Sequence, residues 1–251
     1  MSESLYPLLL LIFASVFGGW IRRLSGFGGA LIMSPLLMWV FPLPFLIPIV
    51  MSAEIFGGIL LSRHWKVHSD DRPRLWRMLF FAGVLLPLGL WLGSFAPIWL
   101  IKAFTSVLVL LFASYLLLRP HFRIAISKLF DGFAGGLSGL LLGSCGIGGP
   151  PAALYLNATD HPFERTRALL SQFISGISVC AIVAASLIGG SVGWLTYLFA
   201  AIPAYWVGME MASYLLKRHD LSHEAIRRLC LILLIGNSGF NLLLLLISKS
   251  L

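Results

Sequence analysis

Charge is scarce in this sequence. Asp, Glu, Lys and Arg make up 11% of its 251 residues, against about a quarter in an average soluble chain. That scarcity excludes a soluble domain of any size, since the longest charged connection, residues 63–77, is short. Cysteine is nearly absent too. Cys145, Cys180 and Cys230 all lie in apolar stretches and form no CxxC or Cys/His spacing, so neither a disulfide framework nor a zinc site is expected. His64 and His68 stand at i, i+4 but have no further His or Cys beside them and read as a solvated loop. No cofactor or metal is therefore expected. Within the apolar segments there is no HExxH, no GxSxG and no pair of carboxylates, which argues against an intramembrane enzyme. It also has no nucleotide-binding loop, which excludes ATP as a direct energy source.

What is abundant is apolar sequence. Hydrophobic residues reach 59%, and mean hydropathy is +0.93. Ten apolar segments are legible, at about 5–22, 28–41, 44–62, 77–96, 98–118, 129–143, 147–158, 166–188, 194–216 and 226–247. The expected fold is all-α, a polytopic transmembrane helical bundle spanning residues 1–251 as one domain. The first run lacks a basic leader and a small-residue cleavage site, so it reads as a span and not a signal peptide. A net charge of +8 suggests nucleic acid in a soluble chain; here the basic residues cluster between spans and set topology, and no nucleic-acid partner is expected. Placing those clusters inside puts every Lys and Arg except Lys102 and Lys249 on one side of the bilayer, with both termini outside.

Two segments, 28–41 and 147–158, are too short to cross a hydrocarbon core of about 30 Å comfortably. Each follows a glycine cluster directly. The stretch "GFGGALIMSPLL" at 26–37 aligns with "GIGGPPAALYL" at 146–156, and "LPLGLWLG" at 86–93 resembles "IPAYWVG" at 202–208. The chain thus reads as two repeats, about 5–118 and 129–247, each with a Gly-broken half-helix. Five segments per repeat would leave the second copy inverted relative to the first, the plan of many secondary transporters.

Glycine breaks in a membrane helix are tolerated where protein buries them or they line a polar cavity. They free backbone N–H groups, and the half-helix that follows offers a positive N-terminus suited to an anion. The candidate substrate-binding residues are accordingly Gly26, Gly28, Gly29 and Ser34 at the first break, and Ser144, Cys145, Gly146, Gly148, Gly149 and Gln172 at the second. With no Lys or Arg evident deep in a span, the anion is expected to be held by dipoles and hydroxyls. Ser25, Ser52, Ser171, Ser175 and Asn157 lie close by, although hydroxyls in helices also bond back to their own carbonyls. Glu54, near the middle of the third segment, is the candidate proton carrier. Its counterparts in the second repeat are Phe173 and the adjacent Gln172, so that role would belong to one half only. Glu210 and Lys102 read as snorkelling or paired residues, and Asn237 and Asn241 as helix contacts. Trp20, Trp39, Trp65, Trp99 and Trp194 read as interfacial anchors.

These breaks carry a resemblance. A helix running into a G-x-G-G stretch with a Pro shortly after, twice, resembles the sulfite exporter TauE/SafE family. Gly26, Gly28, Gly29 and Pro35 match in the first half, and Gly146, Gly148 and Gly149 in the second. Ala30 and Pro150 stand where a third glycine is common, and Cys145 precedes the second motif; these departures bear on substrate choice. The resemblance spans nearly the whole chain. It implies a multi-pass protein of the cell membrane, the inner membrane in bacteria, that exports small sulfur-containing anions such as sulfite or organosulfonates. Its partners would be the anion, the lipid bilayer and coupling protons. The alternative is an anion channel that uses the same breaks as a filter.

Overall fold

The computed structural model describes residues 5–63, 66–118, 126–159, 162–189, 192–218 and 223–250. Among the described residues there are ten α-helices and no strand: α1 (Leu5–Ser25), α2 (Gly29–Leu37), α3 (Leu43–Ser62), α4 (Arg72–Phe95), α5 (Ile98–Leu118), α6 (Lys128–Cys145), α7 (Gly149–Asn157), α8 (Phe163–Gly189), α9 (Leu195–Arg218) and α10 (His223–Ser250). A single 3₁₀ turn, Ser69–Asp71, leads into α4. The ten apolar segments each correspond to one helix. Six of the helices are long and apolar enough to cross a membrane. Large apolar side chains such as Phe80, Trp91, Leu111, Phe133, Phe199 and Leu246 point outward around the bundle, as lipid contact requires.

The two nine-residue helices α2 and α7 are the half-helices, and their boundaries follow from local chemistry. Residue Gly146 ends α6 in the left-handed conformation, with its N–H donating to the Leu142 carbonyl, a helix stop that favours glycine. Pro150 and Pro151 then open α7, where a missing N–H is harmless. Each half-helix folds back along the helix before it. Tyr155, late in α7, hydrogen-bonds near the start of α6 at Ser127 and Asp131, while Ala152 reaches Ser138 midway. Likewise, a side chain added at Gly18 of α1 would meet Gly29 and Met33 of α2. The short segments therefore form hairpins with α1 and α6.

Around these hairpins α1 packs on α9, α4 on α6, α3 on α8 and α5 on α10. Glycine makes the closest of these approaches possible. A Cβ at Gly135, Gly139 or Gly143 of α6 would strike the backbone of α4 at Met78, Ala82 or Leu86; Gly19 and Gly208 stand in the same relation between α1 and α9. Such small-residue seams let membrane helices pack by van der Waals contact. Gly139→Val is expected to destabilise the protein by about 3 kcal/mol, at the upper end of overpacking effects. Gly236→Val on α10, where nothing lies within 4 Å, should be neutral. Melting temperatures of the two variants in detergent check this directly.

Candidate functional site

Every positive φ among the described residues belongs to a glycine in one of the two breaks: Gly26 at 82°, Gly28 at 100° and Gly146 at 70°. L-residues with a Cβ rarely adopt this backbone, which accounts for the glycines at these positions. The breaks meet. The Ser34 hydroxyl on α2 donates to the Gly146 carbonyl at 2.8 Å. Between them lies a small buried cavity lined by Gly28, Ala30 and Leu31 from the first break, Gly148 and Gly149 from the second, Met51 and Glu54 from α3, Leu142 from α6, and Ile174, Ile177 and Ser178 from α8. Its volume of about 20 Å³ has room for about one water molecule.

The two half-helix N-termini differ at this cavity. At α2 the Ala30 N–H donates to Glu54 Oε1 at 2.6 Å, so a carboxylate of the protein already occupies the positive end of that helix. The Tyr205 hydroxyl from α9 also donates to Oε1, at 3.4 Å. At α7 no carboxylate is present. Ser138 Oγ accepts the Ala152 N–H at 3.2 Å, and Pro150 and Pro151 have none to give. Gly149 has space beside it: an added Cβ would meet only Ile174, at 3.9 Å. Gly29 is needed for a different reason, because a Cβ there would collide with the Glu54 carboxylate and the Tyr205 hydroxyl.

The expectation that no cation lies deep in the bundle is corrected. Arg22, read as part of a basic loop, is a residue of α1 and is 0% exposed. Its Nη1 lies 3.2 Å from Glu54 Oε2 and donates to the Gly26 carbonyl at 2.9 Å. Its Nη2 donates to the carbonyl and hydroxyl of Ser171 on α8. The sequence conceals this because two arginines before a glycine cluster look like a topological signal; the groups that enclose Arg22 come from α3 and α8. Arg74 and Arg167 are buried as well, although each stands among the basic residues that flank a span.

The other predicted residues divide. Gly28, Gly148, Gly149 and Glu54 line one cavity, and Gly26, Gly29, Ser34 and Gly146 form its immediate frame. Ser144 does not: its hydroxyl bonds back to Leu140 in its own helix, and its backbone packs on Gly93 of α4. Its neighbour Cys145 is buried and lies 3.4 Å from the Ser144 hydroxyl. Gln172 is half-buried and absent from the cavity wall. Ser25, Ser175 and Asn157 bond to carbonyls of their own helices. Asn237 and Asn241 do make helix contacts, to Leu31 and to the Trp39 indole, and Lys102 sits 4.0 Å over the Trp39 ring. Glu210 is exposed on α9. Trp194 is buried at 6% exposure, so it packs within the protein and does not act as a surface anchor. His64 and Trp65 lie outside the described residues.

A second polar cluster escaped the sequence reading. Asp131 on α6 is 0% exposed and accepts from Arg74 Nε at 2.9 Å, Arg77 Nη2 at 2.6 Å and the Tyr155 hydroxyl at 2.9 Å. The Arg74 guanidinium also lies 4.7 Å from the centre of the Tyr155 ring. Nearby, Arg165 pairs with Asp71, and Arg167 caps the end of α1 by donating to the Arg23 and Leu24 carbonyls. These contacts gather the end of α1 and the starts of α4, α6 and α8 at one end of the bundle. Asp131 lies at the start of an apolar segment and its two arginine partners lie more than fifty residues away in sequence, so no local spacing could reveal it.

Among known proteins, a family model described as sulfite exporter TauE/SafE matches residues 11–239. No curated protein and no solved structure matches the chain.

Proposed function

The chain belongs to the sulfite exporter TauE/SafE family, and from that premise we propose that this multi-pass membrane protein is a secondary carrier of a small sulfur-containing anion, working by alternating access. The observation that carries the proposal is a cavity walled by both glycine breaks, with the α7 N-terminus, which carries no carboxylate, on one side and the buried Glu54 carboxylate on the other. Anions favour helix N-termini, and discontinuous helices meeting inside a bundle are where transporter sites form. Helix pairing supports two inverted repeats. Exchanging α1–α5 for α6–α10 in order turns the α1–α9 contact into α6–α4 and leaves α3–α8 and α5–α10 unchanged.

The cavity is too small for sulfite as it stands, so loading requires the half-helices to part, a carrier's motion and not a static filter's geometry. Protons supply the coupling through Glu54 in this reading. In proteoliposomes loaded with sulfite, the protein should show saturable counterflow, with sulfate, thiosulfate, sulfoacetate and taurine ranking the specificity. Conduction without exchange would instead make the protein a channel, and absence of any sulfur-anion flux would overturn the proposal.

A further inference from the structure

The cavity between the breaks holds an electrostatic constraint. Its wall includes the Glu54 carboxylate, 1% exposed, whose Oε2 accepts no hydrogen bond and is met only by Arg22 at 3.2 Å. Arg22 in turn is buried completely, and its Nε has no hydrogen-bond partner. An incoming anion beside this pair would make two negative charges against one positive around side chains that are shielded from bulk water. Buried charges that lack a counter-charge are costly by several kcal/mol, and like charges a few ångströms apart repel strongly there. Neutralising Glu54 restores the balance, leaving one Arg22 cation for one anion.

Resting on the transport reading above, we propose that Arg22 is the cation of the substrate site and that Glu54 is its built-in competitor. Arg22 pairs with Glu54 when no anion is present. When a sulfonate or sulfite monoanion arrives, one proton adds to a Glu54 carboxylate oxygen from the same solution, and Arg22 transfers its pairing to the anion. On the other side the anion leaves, Glu54 releases the proton, and the Arg22–Glu54 pair re-forms. Anion and proton therefore move together, one for one, and a monoanion crosses without net charge. The second break takes the anion, because the first already holds the carboxylate at the Ala30 N–H. The titratable and charged groups facing Glu54 are few. Arg22 comes from α1 and Tyr205 from α9; α2 presents only backbone, and α8 presents Ser178 across the cavity and Ser171 against Arg22.

Methanesulfonate is a suitable probe, since its own charge is constant from pH 5.5 to 8.5. Binding to the purified full-length protein, followed by tryptophan fluorescence, should weaken at least about tenfold across that range, as expected for one linked proton. Glu54→Gln keeps an acceptor for the Ala30 N–H and, like a protonated Glu54, carries no charge to pair with Arg22. In that variant binding should be independent of pH and at least as tight as wild type at pH 5.5. Adding Arg22→Gln to Glu54→Gln avoids a buried lone charge and should weaken binding at least about thirtyfold at both pH values, roughly 2 kcal/mol. Glu210→Gln should behave as wild type. Three results would overturn the inference: pH-independent binding in wild type, weaker binding in Glu54→Gln than in wild type at pH 5.5, or undiminished binding in the double variant. If sulfite counterflow is intact in any of these cases, the transport reading stands and only the Arg22–Glu54 exchange is wrong. Wild-type protein that exchanges no sulfur anion would remove both.

Discussion

Arg22→Ala is expected to remove most folded protein, by an effect of about 3–5 kcal/mol. The substitution leaves Glu54 as a buried carboxylate whose remaining donors are one backbone N–H and the Tyr205 hydroxyl. It also strips the Gly26 carbonyl and Ser171 of their Arg22 donors. The sign of the effect depends on the partner. Replacing both members, Arg22→Leu with Glu54→Leu, removes two charges together, and such exchanges in buried pairs are often neutral or stabilising. The double variant should therefore recover a monodisperse peak in size-exclusion chromatography while remaining inactive in transport. If Arg22→Ala alone is as stable as wild type, Arg22 and Glu54 do not depend on each other in the folded protein.

The second large effect is expected at Asp131. Asp131→Ala leaves the buried Arg74 against the face of Tyr155 without its carboxylate, and removes the nearer of two acceptors of the Tyr155 hydroxyl. A loss of about 3–5 kcal/mol follows from uncovering a buried guanidinium. Because Tyr155 is the contact that ties the end of α7 to the start of α6, the damage should concentrate there. Hydrogen exchange should rise in α7 and in the first turns of α6 before it rises in α3 and α8. Asp131→Asn, which retains an acceptor but no charge, should fall between the two. Uniform loosening of the whole bundle would mean that the cluster supports global stability and not the α6–α7 hairpin.

The sequence and the structure agree where the information is local. Each helix is a run of apolar residues, and each break is a cluster of glycines whose backbone needs only glycine can meet, as at Gly28 and Gly146. The half-helices could be named from their length alone. Glu54 was conspicuous because an acid in the middle of an apolar run has few ordinary explanations. What could not be read is pairing across the fold. Arg22 and Glu54 lie in different helices, and beside Arg23 the Arg22 side chain reads as part of a basic topological cluster. Asp131 meets Arg74 and Arg77 only because α4 and α6 pack through a glycine seam. Ser144 is close to a break along the chain and Gln172 adjoins Glu54's counterpart in the second repeat, yet helix rotation turns Ser144 toward α4 and leaves Gln172 outside the cavity. Position along a helix was legible; the face it presents was less so in spans that are apolar all round.

If the cavity between the breaks is the path of the anion, Gly149→Leu should close it. Gly148 is a poor choice, since a Cβ there would lie 2.8 Å from the Ser138 carbonyl oxygen. Gly149 has an ordinary φ and an added Cβ there meets only Ile174 at 3.9 Å, so the first carbon of a leucine is tolerated and the rest block a cavity with room for about one water molecule. Sulfite counterflow should be measured in proteoliposomes carrying equal amounts of wild type and Gly149→Leu, with size-exclusion profiles confirming that both are folded. Wild type should exchange saturably and the variant at least about a hundredfold more slowly, equivalent to some 2.7 kcal/mol. Exchange at the wild-type rate through folded Gly149→Leu would contradict it and place the anion path elsewhere in the bundle.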